Sequence, residues 1–150
     1  MDYLLDTNII ILYSDNRRPY RKVEEEFQLF NRRGLNQLFI SVVSLGEVRA
    51  YIEKFGLGER RTRRIEDLLT HMTVVPITND KIIQNYAHID AYSQGKLPNT
   101  SFSARNMGKN DLWIAATAAS FDLRLLTTDR DFDHLTDRVD LRYLDLKSYL

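Results

Sequence analysis

Four carboxylates stand at the end of an apolar run or at the head of one: Asp6 in "YLLDTN", Glu47 in "VVSLGE", Asp111 in "GKNDLWIAA" and Asp129 in "LRLLTTDRDF". Asp6 lies among leucines and isoleucines, and an isolated ionised group taken out of water is expensive. Each acid has a structural explanation. Asp6 could accept from the backbone of the next turn, with Thr7 or Asn8 helping to cap. Ser44 to Glu47, "SLGE", has the form of a capping box. Asp111 suits the positive end of a helix dipole, and Asp129 could belong to a turn before Asp131 and Phe132. Taken together, four carboxylates gathered at one place would repel one another and raise some of their pKa values unless cations intervene. The divalent ions that prefer oxygen, Mg²⁺ and Mn²⁺, would relieve that repulsion, and such ions suit hydrolysis of a phosphodiester. The chain has no cysteine, and its three histidines, His71, His88 and His134, are scattered. Any metal would therefore be held by oxygen, and no local Ser-His or Cys-His arrangement competes for a catalytic role.

The elements that must position these acids are readable from periodicity. "YLLDTNIIIL" predicts a buried strand running into a helix, and "RPYRKVEEEFQLFNRRG" a helix with Pro19 near its start and Gly34 as its stop. "LFISVVS" reads as a strand, "LGEVRAYIEKFG" as a helix, and "ERRTRRIEDLL" as an amphipathic helix with Ile65, Leu68, Leu69 and Met72 inward and a basic outer face. Then come a short strand, "TVVPIT", a helix, "NDKIIQNYAHIDAYSQG", and a polar loop from Lys96 to Asn110. "DLWIAATAASF" is apolar nearly all round and predicts a central buried helix, followed by the strand "LRLLTT" and an edge strand in "VDLRYLDL". Strands alternating with helices imply an α/β fold with a mainly parallel sheet covered on both faces. In such sheets sites form beyond the carboxyl ends of the strands, which is where the four acids would meet.

The totals set bounds. At 150 residues, with 43% hydrophobic and 28% charged residues, the composition is that of one globular domain spanning 1–150. No apolar run approaches the roughly 20 residues that span a bilayer, so no membrane is expected. The first strand starts almost at Met1, so no leader peptide is expected. The lack of cysteine fits a reducing cytoplasm. With 21 basic and 21 acidic residues the net charge is zero and predicts no polyanion partner by itself. Arg60, Arg61, Arg63 and Arg64 are either a solvated surface or a phosphate-contacting or acidic-partner surface.

The fragments "LLDTNIII", "ISVVSLGEV", "NDLWIAATA" and "LLTTDRDF", in this order across essentially the whole chain, resemble the PIN-domain nucleases, in particular the VapC-type toxins of prokaryotic toxin–antitoxin pairs. The resemblance implies a PIN-like three-layer α/β fold with an acidic site at the carboxyl ends of the strands. It implies that Asp6, Glu47, Asp111 and Asp129 are both the catalytic and the metal-binding residues, with Mg²⁺ or alternatively Mn²⁺ as cofactor. Many toxin relatives carry Asn where Asp129 stands, so this chain has the full acidic set; Asp131 is a neighbour that could share or replace that role. Thr7 and Thr127 match small hydroxyl positions that orient the acids. By the same likeness the substrate is RNA, with transfer RNA as one candidate, cut in line to leave a 5′-phosphate and a 3′-hydroxyl. The partners implied are a small antitoxin, whose tail lies over the acidic groove, and a second copy of the chain in a homodimer.

Other readings fit less well. A haloacid-dehalogenase phosphatase wants a second Asp two residues after the first, where this chain has Asn8. A response-regulator receiver wants paired acids after its first strand, which are missing. A PIN-like module that binds RNA or protein without cutting, and a PIN nuclease serving RNA processing or decay, are the alternatives that keep the same fold.

Overall fold

The computed structural model describes residues 1–15, 18–31, 34, 36–98, 100 and 102–149. Strand β1 (Asp2–Leu5) leads into α1 (Thr7–Ser14) and α2 (Arg18–Phe27); β2 (Gln37–Ser41) leads into α3 (Val42–Phe55) and α4 (Glu59–Thr70). After β3 (Thr73–Val75) come α5 (Asp80–Ser93), α6 (Lys109–Phe121) and β4 (Arg124–Thr127). A 3₁₀ turn at Arg130–Leu135, β5 (Leu141–Tyr143) and a second 3₁₀ turn at Leu146–Tyr149 complete the order. The strands form one sheet, β3-β2-β1-β4-β5, with every pairing parallel.

Alternation along each strand divides the core. On β1, Tyr3 and Leu5 face α1 and α4, where Ile9, Ile10, Tyr13, Ile65 and Leu68 pack, while Leu4 faces the α5–α6 side. On β4, Leu126 joins the first group and Leu125 the second. Successive side chains point to opposite faces, and because both faces are covered the strands read as continuous apolar runs. Helix α6 sits deepest: Leu112, Ile114, Ala115, Ala116 and Ala118 are all buried, as its unbroken apolar character predicts.

Several of the expected boundaries and faces move. The second strand stops at Ser41, whose hydroxyl accepts from the Val43 N–H at 3.1 Å and starts α3 at Val42, three residues before "LGEV". Capping chemistry there outweighs the strand preference of β-branched Val42 and Val43. Helix α2 ends at Phe27, not at Gly34, because Gln28 takes a left-handed φ of 51°. The Asn36 amide covers the Phe27 and Gln28 carbonyls, and Leu29 is returned to the core; Arg32 and Arg33 of the expected helix lie outside the described residues. Lys109 and Asn110 belong to α6 instead of the preceding loop, of which Asn99 and Ser101 lie outside the described residues. On α4, Arg60 and Arg63 are exposed as expected, but Arg61 and Arg64 bend back onto α1.

Candidate functional site

All four predicted acids leave elements at the carboxyl edge of the sheet. Asp6 follows β1 directly, and its N–H donates to the Leu126 carbonyl at 3.0 Å, tying it to β4. It is 4% exposed and caps α1: Oδ1 accepts from the Thr7 N–H at 2.8 Å. Oδ2 accepts from the buried Thr127 hydroxyl at 2.6 Å. The same Thr127 oxygen accepts from the Asp129 N–H at 3.0 Å, so one hydroxyl registers two acids from different segments. Asp129 caps the following 3₁₀ turn through the Asp131 N–H at 2.8 Å, which turns Asp131 back toward it.

Glu47 has a different anchor. Since Ser41 is the N-cap of α3, the expected Ser44–Glu47 capping box does not form; Ser44 is buried inside the helix. Glu47 Oε1 instead accepts from the Thr7 hydroxyl at 2.8 Å, forty residues away in sequence. Asp111 lies in the first turn of α6, which has Gly108 at its N-cap and no side-chain cap bond.

The structural readings of Asp6 as a helix cap and of Asp129 as part of a turn therefore hold, yet they do not use up the charges. Asp111, Asp129 and Asp131 each offer a carboxylate oxygen, all within 4.8 Å of one another. Asp6 and Glu47 stand outside that trio but close enough to act on it electrostatically. Burial, first, and then the charges of Asp6, Asp129, Glu47 and Asp131 push the Asp111 carboxyl up to about 7. Burial also raises Asp6, opposed by the hydrogen bonds from Thr127 and Thr7 and reinforced by Glu47 and Asp129. Acids raised by burial together with neighbours of their own sign cluster at functional sites.

The sequence offered Asp131 as a neighbour that could share or replace the role of Asp129, and the structure brings both beside Asp111, the D-x-D spacing with a capping Asp129 being the signal. Sequence reasoning had no means of seeing a Ser93–His134 contact of 2.8 Å, formed across 41 residues. Ser93 is 1% exposed and also faces the Arg105 carbonyl, so this pair ties the loop before α6 to the 3₁₀ turn. Beside the acids a groove of about 620 Å³ is lined by Thr7, Val42, Glu47, Tyr51, Phe55 and Asn110 among others.

No helix among the described residues is long and apolar enough to cross a membrane. The PIN domain matches residues 3–137. A relative named Ribonuclease VapC1, from Haemophilus influenzae (strain R2866), is 35% identical over 139 residues, 91% of this chain and 94% of the relative. The solved structure of VapBC-1 from nontypeable Haemophilus influenzae is 32% identical, covers 98% of this chain and 99% of that one, and superposes with a TM-score of 0.66. That of VapBC2 from Rickettsia felis, bound to a DNA fragment from its promoter, reaches 0.71 at 21% identity over 97% and 100% of the two chains, a likeness of fold. With the parallel sheet, the clustered acids and a match over most of its length, this chain belongs to the PIN-domain family.

Proposed function

We propose that this chain is a metal-dependent endoribonuclease and the toxin of a toxin–antitoxin pair. The observation that carries the proposal is the convergence of acids from three other segments on Asp111, with Thr127 and Thr7 fixing Asp6, Asp129 and Glu47 by named hydrogen bonds. Relatives named as ribonucleases, and solved as VapBC complexes, support the same reading.

The donor set suits a divalent cation. Three carboxylates with oxygens within 4.8 Å, and a fourth buried behind them, form an all-oxygen site whose self-repulsion a cation would cancel. Asp6, Asp111 and Asp129, with Asp131, would hold Mg²⁺ or Mn²⁺. When bound, such an ion acts as a Lewis acid toward a phosphate oxygen and eases deprotonation of the attacking water. The chain's own contribution is positional. The Thr127 bond aims Asp6 and favours its ionised form against the effect of burial, and the Asp129 cap sets the direction of Asp131. Glu47 is held through Oε1 by Thr7 and lines the groove, where its other oxygen can orient a water and take its proton.

RNA, with transfer RNA as the first candidate, a small antitoxin and a second copy of the chain complete the proposal. The test is cleavage of a labelled total-tRNA pool by purified protein in Mg²⁺, in Mn²⁺ and in EDTA, beside Asp6→Asn. Cutting by the parent with either metal, and none by the variant or in EDTA, supports the reading. Equal cutting by both proteins, or none by the parent, argues against it.

A further inference from the structure

Three depressions adjoin along α1. The first is the groove beside the acids, which includes Thr7, Ile11, Glu47 and Tyr51. The next shares Ile11 and Tyr51 with it and reaches Asp15 and Arg61. The last, about 450 Å³, is lined by Ser14, Asp15, Arg60, Arg61 and Arg64. The path thus begins at the acids and ends at a cluster of guanidinium groups.

Two of those cations are anchored by neutral groups. Neighbouring Arg49 and Arg63 pair with Glu66 and Glu59. Arg60, Arg61 and Arg64 have no carboxylate partner within 4.0 Å among the described residues. Arg61 donates from Nη2 to the Ser14 hydroxyl at 2.9 Å, and Ser14 donates onward to the Ile11 carbonyl. Its Nε is buried with no acceptor among the described residues. Arg64 is fixed by an Nε bond to the Tyr13 carbonyl and by its guanidinium lying 4.6 Å from the centre of the Tyr20 ring. Neutral groups therefore preorganise both side chains. Among the described residues, the lining sets the carboxylate of Asp15 against three guanidinium groups.

The geometry points to a phosphate subsite: a phosphodiester of the bound RNA, distinct from the one cut, seats against Arg60, Arg61 and Arg64. This rests on the ribonuclease reading above and adds where the substrate is gripped. From Asp6 to Ser14 is eight residues of helix, about 12 Å at ~1.5 Å per residue, or roughly three to four nucleotides at ~3.4 Å per step along a strand. A polyanion approaching a cluster of carboxylates needs attraction from elsewhere, and a chain of zero net charge must supply it locally. Guanidinium groups with free donors match phosphate oxygens in both charge and geometry.

The test is filter binding of the labelled tRNA pool over a salt series, with every protein carrying Asp111→Asn to prevent cutting. The variants are Arg61→Gln/Arg64→Gln together, Arg60→Gln as an exposed change that leaves packing intact, and Arg63→Gln as the control. Loss of one phosphate contact should flatten the slope of log K against log salt by about 0.7 to 0.9, in the double variant and in Arg60→Gln but not in Arg63→Gln. Slopes equal to that of the control would overturn the subsite and leave the ribonuclease reading standing. Arg61-dependent binding of labelled hexaglutamate with an unmoved tRNA slope would assign the pocket to an acidic protein and equally overturn it. Failure of the Asp111→Asn parent to bind tRNA at any salt would remove the RNA reading itself, and the subsite with it.

Discussion

Asp111→Asn keeps the shape of the side chain and deletes a charge that the fold holds at a cost. The carboxyl is displaced from the ordinary aspartate value of 3.8 to about 7, by burial first and by Asp6, Asp129, Glu47 and Asp131 after it. At ~1.36 kcal/mol per pH unit, that displacement corresponds to about 4 kcal/mol before screening. Asp111 is only partly buried, and solvent screening reduces the figure to about 1–2 kcal/mol. The sign follows from proton counts. Between pH 3.8 and about 7 the folded chain binds more protons than the unfolded chain, so stability falls as pH rises through that window. In EDTA the asparagine variant should therefore match the parent below pH 4 and exceed it by about 1–2 kcal/mol at pH 8, a gain of roughly 2–8 °C in melting temperature for a chain of this size. Urea unfolding at pH 4, 6 and 8 measures this. A variant less stable than the parent at pH 8, or a difference that does not grow with pH, would refute the reasoning that Asp111 sits in a field of like charge.

Thr127→Val should cost about 2–4 kcal/mol in a denaturation assay. It removes a charge-assisted bond to Asp6 and strands the Asp129 N–H; a change below ~0.5 kcal/mol would mean the hydroxyl does not bear the acid's charge. Thr7→Val releases Glu47 and should lower kcat on RNA by about tenfold with KM little changed, while Glu47→Gln should lower it by about 100-fold or more. Parent-like rates in both would remove Glu47 from the chemistry. Burial and Arg105 hold the His134 imidazole below its usual value, so its contribution to stability is present above about pH 6.5 and is lost as pH falls through the folded value. His134→Gln should flatten that acid limb in a comparison of unfolding at pH 5 and pH 7, and an unchanged limb would contradict the assignment.

The parallel sheet was legible because strands buried on both faces leave long apolar runs, and "YLLD" and "LRLLTTD" each end in an acid of the site. Asp6, Glu47, Asp111 and Asp129 could be named from such ends, since the topology of an α/β sheet brings them to one edge. What stayed hidden depends on groups distant in sequence or on a choice between two local signals. Val42 and Val43 look like strand, and only the Ser41 cap decides otherwise. Glu47 looks like part of a capping box, and only the folded chain shows that it answers to Thr7. Leu29 and Phe30 continue a helical pattern, and only the left-handed turn at Gln28, with Asn36 covering the open carbonyls, stops it. Arg61 and Arg64 share a helix with Arg60 and Arg63 but turn inward, because Ser14 and the Tyr13 carbonyl offer them acceptors that periodicity does not register.

The central claim, that the acids form one cation site around Asp111, is tested most directly by calorimetric titration of Mn²⁺ at pH 7 in two buffers of different ionisation heat. The parent should bind the ion and release roughly half a proton per site, because a carboxyl titrating near 7 is about half protonated there and must ionise to bind. Asp111→Asn should lose most of the affinity and all of the proton release. Absence of binding by the parent, or binding by the variant with the same affinity and the same proton release, would contradict the claim.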